Sequence, residues 1–260
     1  MLLSIITINK NNLHGLKLTL QSVKKLISNI DNIEHIIIDG NSCDGSIDEI
    51  NLYRKGLNNV SFISENDNGI YDAMNKGIRH ASGQHLIFIN SGDYLLDFNL
   101  IDLIKNLNYD IVYCNLSYGS YVYKPEENLS LFHFIYGGIM AHPSSFIRRD
   151  LFFKFGFYKE DFKIISDWIF FLNAVIINNC TIKYININIT VFDQTGISSN
   201  QNGIKLANIE KKSFLFSTYP RIYIDYLNYE SRLNKSFEFI KLRSFIYYIK
   251  SNLKKNFSLR

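Results

Sequence analysis

The side chains best suited to chemistry in this chain stand in short polar loops, each placed directly after an apolar run. The apolar run His85–Ile89 stops abruptly at Asn90-Ser91-Gly92-Asp93, where an amide, a hydroxyl and a carboxylate surround a glycine. Ligands of open α/β sheets bind at such carboxyl ends of strands. Asp and Gly are equally ordinary turn residues, so this loop alone suits both a site and a plain turn. Three further clusters repeat the arrangement: Thr7 and Asn9 close a first apolar run, Asp39 closes a second, and Asp67–Asp72 follow a third. Asp72 and Lys76 stand four apart at helical spacing, which suits a surface ion pair. No GxGxxG dinucleotide fingerprint and no GxxxxGKS/T phosphate loop is present.

For these loops to meet, the apolar runs must lie side by side as strands. Leu2–Ile8 reads as a first strand, followed by a polar Asn9–Asn12 loop. A helix from about Leu13 to Ile30 comes next, with Leu16, Leu20, Val23 and Ile27 at helical period. A second strand, His35–Ile38, ends at Asp39-Gly40, and helical pattern resumes near Ser46. Val60–Ser64 reads as a third strand, Tyr71–Ala81 as a third helix and His85–Ile89 as a fourth strand. Such alternation specifies a parallel sheet with helices on both faces, its polar loops gathered along one edge. Beyond Asp93 the pattern loosens into a helix near Leu100–Leu107, a strand at Ile111–Cys114 and an aromatic, hairpin-like stretch through Tyr123. An amphipathic helix Ser166–Ile177, an alternating strand Thr181–Val191 and a polar loop Asp193–Ser199 follow, which predicts mixed strand pairing in the second half of one domain. Pro220 divides two helical stretches that run to the C-terminus.

Composition narrows the class. With 260 residues and 47% hydrophobic content the chain fits one large α/β domain with an appendage and has ample material for a core. The net charge of +4 is mild and concentrated near the end, at Lys241, Arg243, Lys250, Lys254, Lys255 and Arg260, which does not favour nucleic acid as a partner. Cys43, Cys114 and Cys180 form no CxxC pair and read as small buried or half-buried side chains in a reducing compartment. The N-terminal MLLSIITINK has no positive leader and breaks at Ser4 and Thr7, so it reads as a strand, and the expected location is cytoplasmic.

The segments SIITINKNNLHGLKLTLQSV, HIIIDGNSCDGSIDEI and ENDNGIYDAMNKGI with INSGD resemble the N-terminal half of inverting family 2 glycosyltransferases of the GT-A fold. The resemblance covers about residues 2–97 strongly and about 136–198 more weakly. It implies a GT-A α/β domain over residues 1–200, with a nucleotide-sugar half (1–115) and an acceptor half (116–200), and a helical extension over 201–260. It further implies that Thr7, Asn9 and Asp39 hold the base and ribose of a nucleotide-diphosphate sugar, Asp39 through a uracil or guanine N–H, while Asn90 and Ser91 contact the ribose side. Asp44 and Ser42, in the loop after Asp39, read mainly as turn and cap residues. Asp72 would contact the donor and Lys76 would steady its diphosphate. Asn90-Ser91-Gly92-Asp93 takes the place of the family's DxD motif with its earlier carboxylates missing, which leaves Asp93 to ligate Mg²⁺ or Mn²⁺ together with phosphate oxygens and waters. Asp167, in ISDWIFFL, matches the catalytic base, and would otherwise be a first-turn carboxylate behind an N-cap Ser166. Tyr71, His142 and Gln194 are further candidates for donor or acceptor contacts.

The C-terminal FEFIKLRSFIYYIKSNLKKNF mixes apolar and basic residues in the manner of a helix lying on an anionic inner-membrane surface, and equally of a helix packed on its own domain. The expected activity is transfer of a sugar to a glycan or lipid-linked acceptor. The rivals are a non-catalytic nucleotide-sugar-binding protein of the same fold, given the missing carboxylates, and a nucleotidyltransferase, which lacks its basic Gly-rich loop here.

Overall fold

The computed structural model describes residues 2–28, 30, 32–98, 103, 105–136, 140–232 and 235. The chain falls into two compact units, Met1–Ala207 and Asn208–Arg260. The first unit begins with β1 (Leu3–Asn9), α1 (Leu13–Ile27), β2 (Ile33–Asp39), α2 (Ser46–Tyr53), β3 (Val60–Ser64), α3 (Ile70–His80) and β4 (His85–Phe88). This is the alternation the sequence predicts, with β1 running one residue further, so that Asn9 belongs to the strand. The second half carries β5 (Tyr94–Leu95), β6 (Ile111–Tyr118), β7 (Tyr121–Tyr123), α4 (Leu131–Tyr136), a 3₁₀ turn His142–Ser144, β8 (Ser145–Arg148) and α5 (Asp150–Phe155). It closes with α6 (Ser166–Phe171), β9 (Ile182–Val191) and the start of α7 (Gln201–Thr218).

The described strands form one sheet in the order β3-β2-β1-β4-β8-β6-β9-β5, with β7 paired to β6. β1 lies parallel to both β2 and β4, so the strand order reverses at β1 and opens a crevice beyond its carboxyl end. β8 is antiparallel to β4 and β6, and β9 runs parallel to β6, so β9 also ends on the edge where β1 and β4 end. The mixed pairing arises because β8, four residues long and absent from the sequence reading, inserts between β4 and β6.

All seven residues of β1 are buried, as befits a central strand covered on both faces. Leu16, Leu20, Val23 and Ile27 of α1 pack with Ile5, Ile37, Ile87 and Phe146 in the core on one face, each such side chain contributing about 1.5–3 kcal/mol on full burial. On α3, Gly77 lets the helix backbone approach β1, where an added Cβ would stand 2.5 Å from Ile6 Cγ2.

Several boundaries differ from expectation. The amphipathic segment Ser166–Ile177 is α-helical only to Phe171 and then widens to a π-helix over Leu172–Ile177. Ile165, not Ser166, is the N-cap of α6. Cys43 is exposed, whereas Cys114 is buried and Cys180 half-buried. Half of the helix expected near Leu100–Leu107 lies outside the described residues; of the rest, Leu103 is helical and 105–107 form a turn. Gly137, Gly138 and the basic C-terminal stretch 236–260 also lie outside the described residues. In the second unit Tyr219 interrupts the helix, and Pro220 opens the next one over 220–232 at a position where its missing N–H has no intrahelical partner to lose.

Candidate functional site

The carboxyl ends of β1, β4 and β9 and the entry to α3 enclose a cleft of about 440 Å³, within the range of small-molecule sites. Ile8 and Asn9 come from the end of β1 and Lys10 from just beyond it; Asp67, Gly69, Ile70 and Ala73 from the α3 entry; Asn90, Ser91 and Asp93 from the loop after β4; Phe192, Asp193 and Gly196–Ser198 from the loop after β9.

Two amide oxygens in this wall lack a donor among the described residues. Asn9, 4% exposed, donates from Nδ2 to Asp39 Oδ1 at 2.8 Å, yet its Oδ1 is buried and accepts nothing among the described residues, and Asn90 Oδ1 is in the same condition. A buried acceptor without a donor costs about 1–3 kcal/mol, so both oxygens are suited to ligand hydroxyl or N–H groups.

α1 holds the loop after β4 in place. Asn12 caps the helix through Gly15 N and donates to Ser91 O at 3.0 Å, while the Thr19 hydroxyl donates to Asp93 O at 2.6 Å and accepts from Gly92 N at 3.1 Å. Asp93 is 3% exposed, and its Oδ1 accepts the Asp193 N–H at 2.8 Å. Burial pushes the Asp93 carboxyl up to about 7, with the Asp193 charge adding to it against the Asp193 and Asn90 N–H groups. Gly92, at φ +108, makes room for the second carboxylate, because a Cβ there would lie 2.3 Å from Asp193 Oδ2. The two carboxylates suit a cation that brings further oxygen ligands with it; among the described residues no three His, Cys, Asp or Glu side chains form a complete cluster.

The remaining candidates are placed less uniformly. Asp39 is fully buried and accepts four hydrogen bonds, from Asn9 Nδ2, Ser42 N, Ser42 Oγ and Ser64 Oγ at 2.6–2.8 Å. These occupy a carboxylate's lone pairs, so Asp39 ties together the carboxyl ends of β1 and β3 and the loop after β2. A direct contact to a base N–H requires exchange of one partner, of which Ser64 is the exposed one. Thr7 does not reach the cleft: its hydroxyl donates to Ile89 O at 2.7 Å and meets His35 Nε2 at 2.9 Å inside the sheet. That network leaves His35 Nε2 as the donor and Nδ1 to accept from the Tyr53 hydroxyl at 2.8 Å. Asp44 accepts from Leu13 N and Ser46 N and so joins the entries of α1 and α2, as a turn and cap residue does.

Asp72 and Lys76 form the i,i+4 pair at 3.2 Å, and Lys76 also meets Glu65 at 2.9 Å and Asn66 O at 2.8 Å. Burial raises the Asp72 carboxyl, but the Asn68 N–H and Lys76 outweigh it and hold the group below the ordinary range. Lys76 is therefore a paired ammonium that braces the loop ahead of α3, and neither residue lines the cleft.

Asp167 stands half-buried in the first turn of α6 and does not line the cleft either. Its Oδ1 accepts from Trp168 N at 2.9 Å and lies 3.0 Å from the Tyr71 hydroxyl. His142 is a core residue, 8% exposed, stacked on Phe88 with ring centroids 4.8 Å apart and bonded to the Tyr158 hydroxyl at 2.8 Å. Burial lowers its proton affinity, partly offset by the Asp167 charge. Gln194 is exposed and outside the cleft wall.

Lys10, Asp67 and Asp193 are cleft residues that the sequence reading did not single out. Lys10 and Asp67 meet at 3.4 Å across the rim. Asp193 follows β9 directly, so the same rule that selected Asp93, a polar group just past a strand, applies to it once β9 is known to end on this edge.

Solved structures share this fold. Residues 1–349 of TarS from S. aureus superpose with a TM-score of 0.62 at 17% identity, covering 84% of this chain and 73% of that one. A mannosyltransferase from Pyrobaculum calidifontis, solved with GDP-Man and Mn²⁺, does so with a TM-score of 0.58 at 14% identity, covering 84% and 64%. The second is a glycosyltransferase by name, and the fold is GT-A. Among curated proteins, an uncharacterized glycosyltransferase of Mycobacterium tuberculosis is 32% identical over 227 residues, 84% of this chain and 85% of that protein. A PGL/p-HBAD biosynthesis glycosyltransferase of Mycobacterium bovis is 25% identical over 173 residues, 64% and 68% of the two chains. The family model of glycosyl transferase family 2 matches residues 4–174, from the first strand to the helix that carries Asp167, and the chain belongs to that family.

Proposed function

We propose that the chain transfers a glycosyl group from a nucleoside-diphosphate sugar to a hydroxyl of a saccharide or lipid-linked saccharide, with inversion at the anomeric carbon, in assembly of a bacterial surface glycan. The observation that carries this reading is the pair of unpartnered buried oxygens, Asn9 Oδ1 and Asn90 Oδ1, flanking the β1/β4 crevice beside Asp93. Ribose hydroxyls and a base N–H supply the donors these oxygens lack. The UDP, UDP-GlcNAc and GDP-Man bound to the structural neighbours support a nucleotide sugar here. The name of the mycobacterial relative supports a glycan product.

Mg²⁺ or Mn²⁺ fits Asp93 and Asp193, since burial, and after it the Asp193 charge, disfavours an ionised Asp93 that a cation would stabilise, and Mg²⁺ is commonly held by one or two carboxylates plus substrate phosphates. Such an ion, when bound, neutralises charge growing on the departing diphosphate. Asn90 and Ser91 bind the ribose side. Asp39 orders the base end, and the Asp72–Lys76 pair braces the loop beside the diphosphate. In the transfer the acceptor oxygen attacks the anomeric carbon and the bond to the diphosphate breaks with its electron pair. The hydroxyl proton moves to the Asp167 carboxylate, a general base. His142 acts from behind this centre, through Tyr158, without touching the sugar. Domain bounds of 1–200 and 201–260, with the extension on the cytoplasmic face of the inner membrane, complete the proposal.

Titration calorimetry with nucleoside diphosphates and nucleotide sugars, in Mn²⁺, Mg²⁺ and chelator, tests it together with transfer assays. One nucleotide class should bind in a metal-dependent manner that Asp93→Ala abolishes, and Asp167→Asn should bind the donor normally and turn it over at least a hundredfold more slowly, within the span of general-base effects of roughly 10²–10⁴. Full transfer by Asp167→Asn would remove the base assignment. Donor binding without turnover on lipid-linked acceptors would instead mark a non-catalytic member of the family.

A further inference from the structure

Tyr71 follows directly on Gly69 and Ile70, which line the cleft, yet its own side chain points away from it and is only 5% exposed. Its hydroxyl lies 2.5 Å from Ile164 O and 3.0 Å from Asp167 Oδ1, across 93 and 96 residues of chain. The ring rests on Tyr158 at 5.6 Å between centroids, and the segment carrying Tyr158 is clamped to α3 by Asn75, which bonds Tyr158 O at 2.9 Å and Tyr158 N at 3.0 Å. One hydroxyl proton therefore faces two acceptors, a carbonyl and a carboxylate, on a ring that cannot turn away.

We propose that Tyr71 is the positioning residue of the base: its hydroxyl, with Trp168 N, engages Asp167 Oδ1 and leaves Oδ2 to receive the acceptor proton. This rests on Asp167 being the base. While Asp167 is ionised, the Tyr71 proton is donated to Oδ1. When the carboxylate takes the acceptor's proton on Oδ2 and loses its charge, the Tyr71 hydroxyl turns its proton to Ile164 O, which already stands within reach. No bond of the phenol breaks, and the buried hydroxyl is never left without an acceptor. Because Tyr71 lies in the first turn of the helix whose entry borders the donor cleft, the same element that meets the donor also holds the base. The other titratable groups that sense Asp167 are Tyr158 and His142, both buried. Burial and the Asp167 charge together hold the Tyr71 phenol protonated, as a donor must be.

Tyr71→Phe tests this by kinetics against pH, alone and combined with Asp167→Asn. Loss of one hydrogen bond to a charged group lowers kcat by roughly tenfold to a hundredfold, with the KM for donor unchanged. The acid limb of the kcat profile moves to higher pH, because the carboxylate has lost a donor that favours its ionised form. In the Asp167→Asn background the same substitution has no further effect. A loss of equal size in both backgrounds, or a loss without movement of the acid limb, overturns the proposal. Incorporation of 3-fluorotyrosine at position 71 keeps the ring's shape and strengthens the donor; it moves the limb to lower pH, and no movement again overturns the assignment. If Asp167→Asn itself turns over at the full rate, the base assignment fails independently of any result at Tyr71.

Discussion

At the scale of single residues, the cleft is organised by what a glycine leaves out. Gly92 has a left-handed φ of +108, and its missing Cβ is the space that Asp193 Oδ2 occupies. Gly92→Ala therefore meets two penalties, about 1–2 kcal/mol for the backbone conformation and displacement of the carboxylate from Asp93. The expected outcome is a lower melting temperature and a loss of metal-dependent nucleotide binding larger than the stability change explains; thermal shift in the presence and absence of Mn²⁺ with nucleotide separates the two. Burial, with the neighbouring Asp193 charge, pushes Asp93 up to about 7, so on the proposed reading a cation that binds there displaces a proton. Metal-dependent binding measured at pH 6.5 in buffers of different ionisation enthalpy should release protons, and Asp93→Asn should remove the release along with the binding.

At the scale of elements, α3 is the part that joins the cleft to the segment carrying Asp167. Its entry lines the cleft, Gly77 lets it lie close on β1, and Asn75 ties it to the segment that leads into α6. Asn75 is 1% exposed and satisfies both Tyr158 backbone groups as well as Glu160 Oε1. Asn75→Ala leaves a buried N–H and a buried carbonyl unpaired, at about 2 kcal/mol or more, and frees the segment carrying Tyr158 from the helix that carries Tyr71. Chemical denaturation should show the stability loss, and kcat should fall while nucleotide affinity stays close to the original value, because no cleft residue is changed.

For the whole molecule, acid stability follows from its buried histidines. Burial lowers His35 to about 3 and also lowers His85 and His142 below the ordinary value of 6.5. These groups stay neutral in the fold while the unfolded chain takes up protons, so the stability they contribute is present above about pH 6.5 and is lost as the pH falls toward their folded values. His35 alone contributes a loss on the order of 3 kcal/mol by pH 4. Asp93 has the opposite sign: its raised carboxyl favours the fold at low pH and that contribution is lost as the pH rises through 7. Melting temperatures measured from pH 8 to pH 4 should fall below pH 6.5, less steeply in His35→Gln and more steeply in Asp93→Asn. Among the described residues no helix is long and apolar enough to cross a membrane.

The first half of the fold is legible in the sequence because its information is local: apolar runs of strand length alternate with helical periodicity, and short connections leave one handed way to stack them. Asn9, Asn90 and Asp93 stand at strand ends by that pattern alone. The second half is less legible, since β5, β7 and β8 are two to four residues long and carry too few side chains to show a period. Pairings between distant segments lie outside the reach of periodicity altogether. Asp93 meets Asp193 across 100 residues and Tyr71 meets Asp167 across 96. Thr7 shares its face of β1 with Asn9, but it stands inside the strand and not at its end, and its hydroxyl is taken up there by Ile89 O and His35 Nε2. The sequence by itself determined the elements of the first half, the family and the edge on which the polar loops lie. Only the strand order, with β8 inserted between β4 and β6 and β9 ending beside β4's loop, decided which carboxylates face each other, because charge, burial and hydrogen bonding act through space.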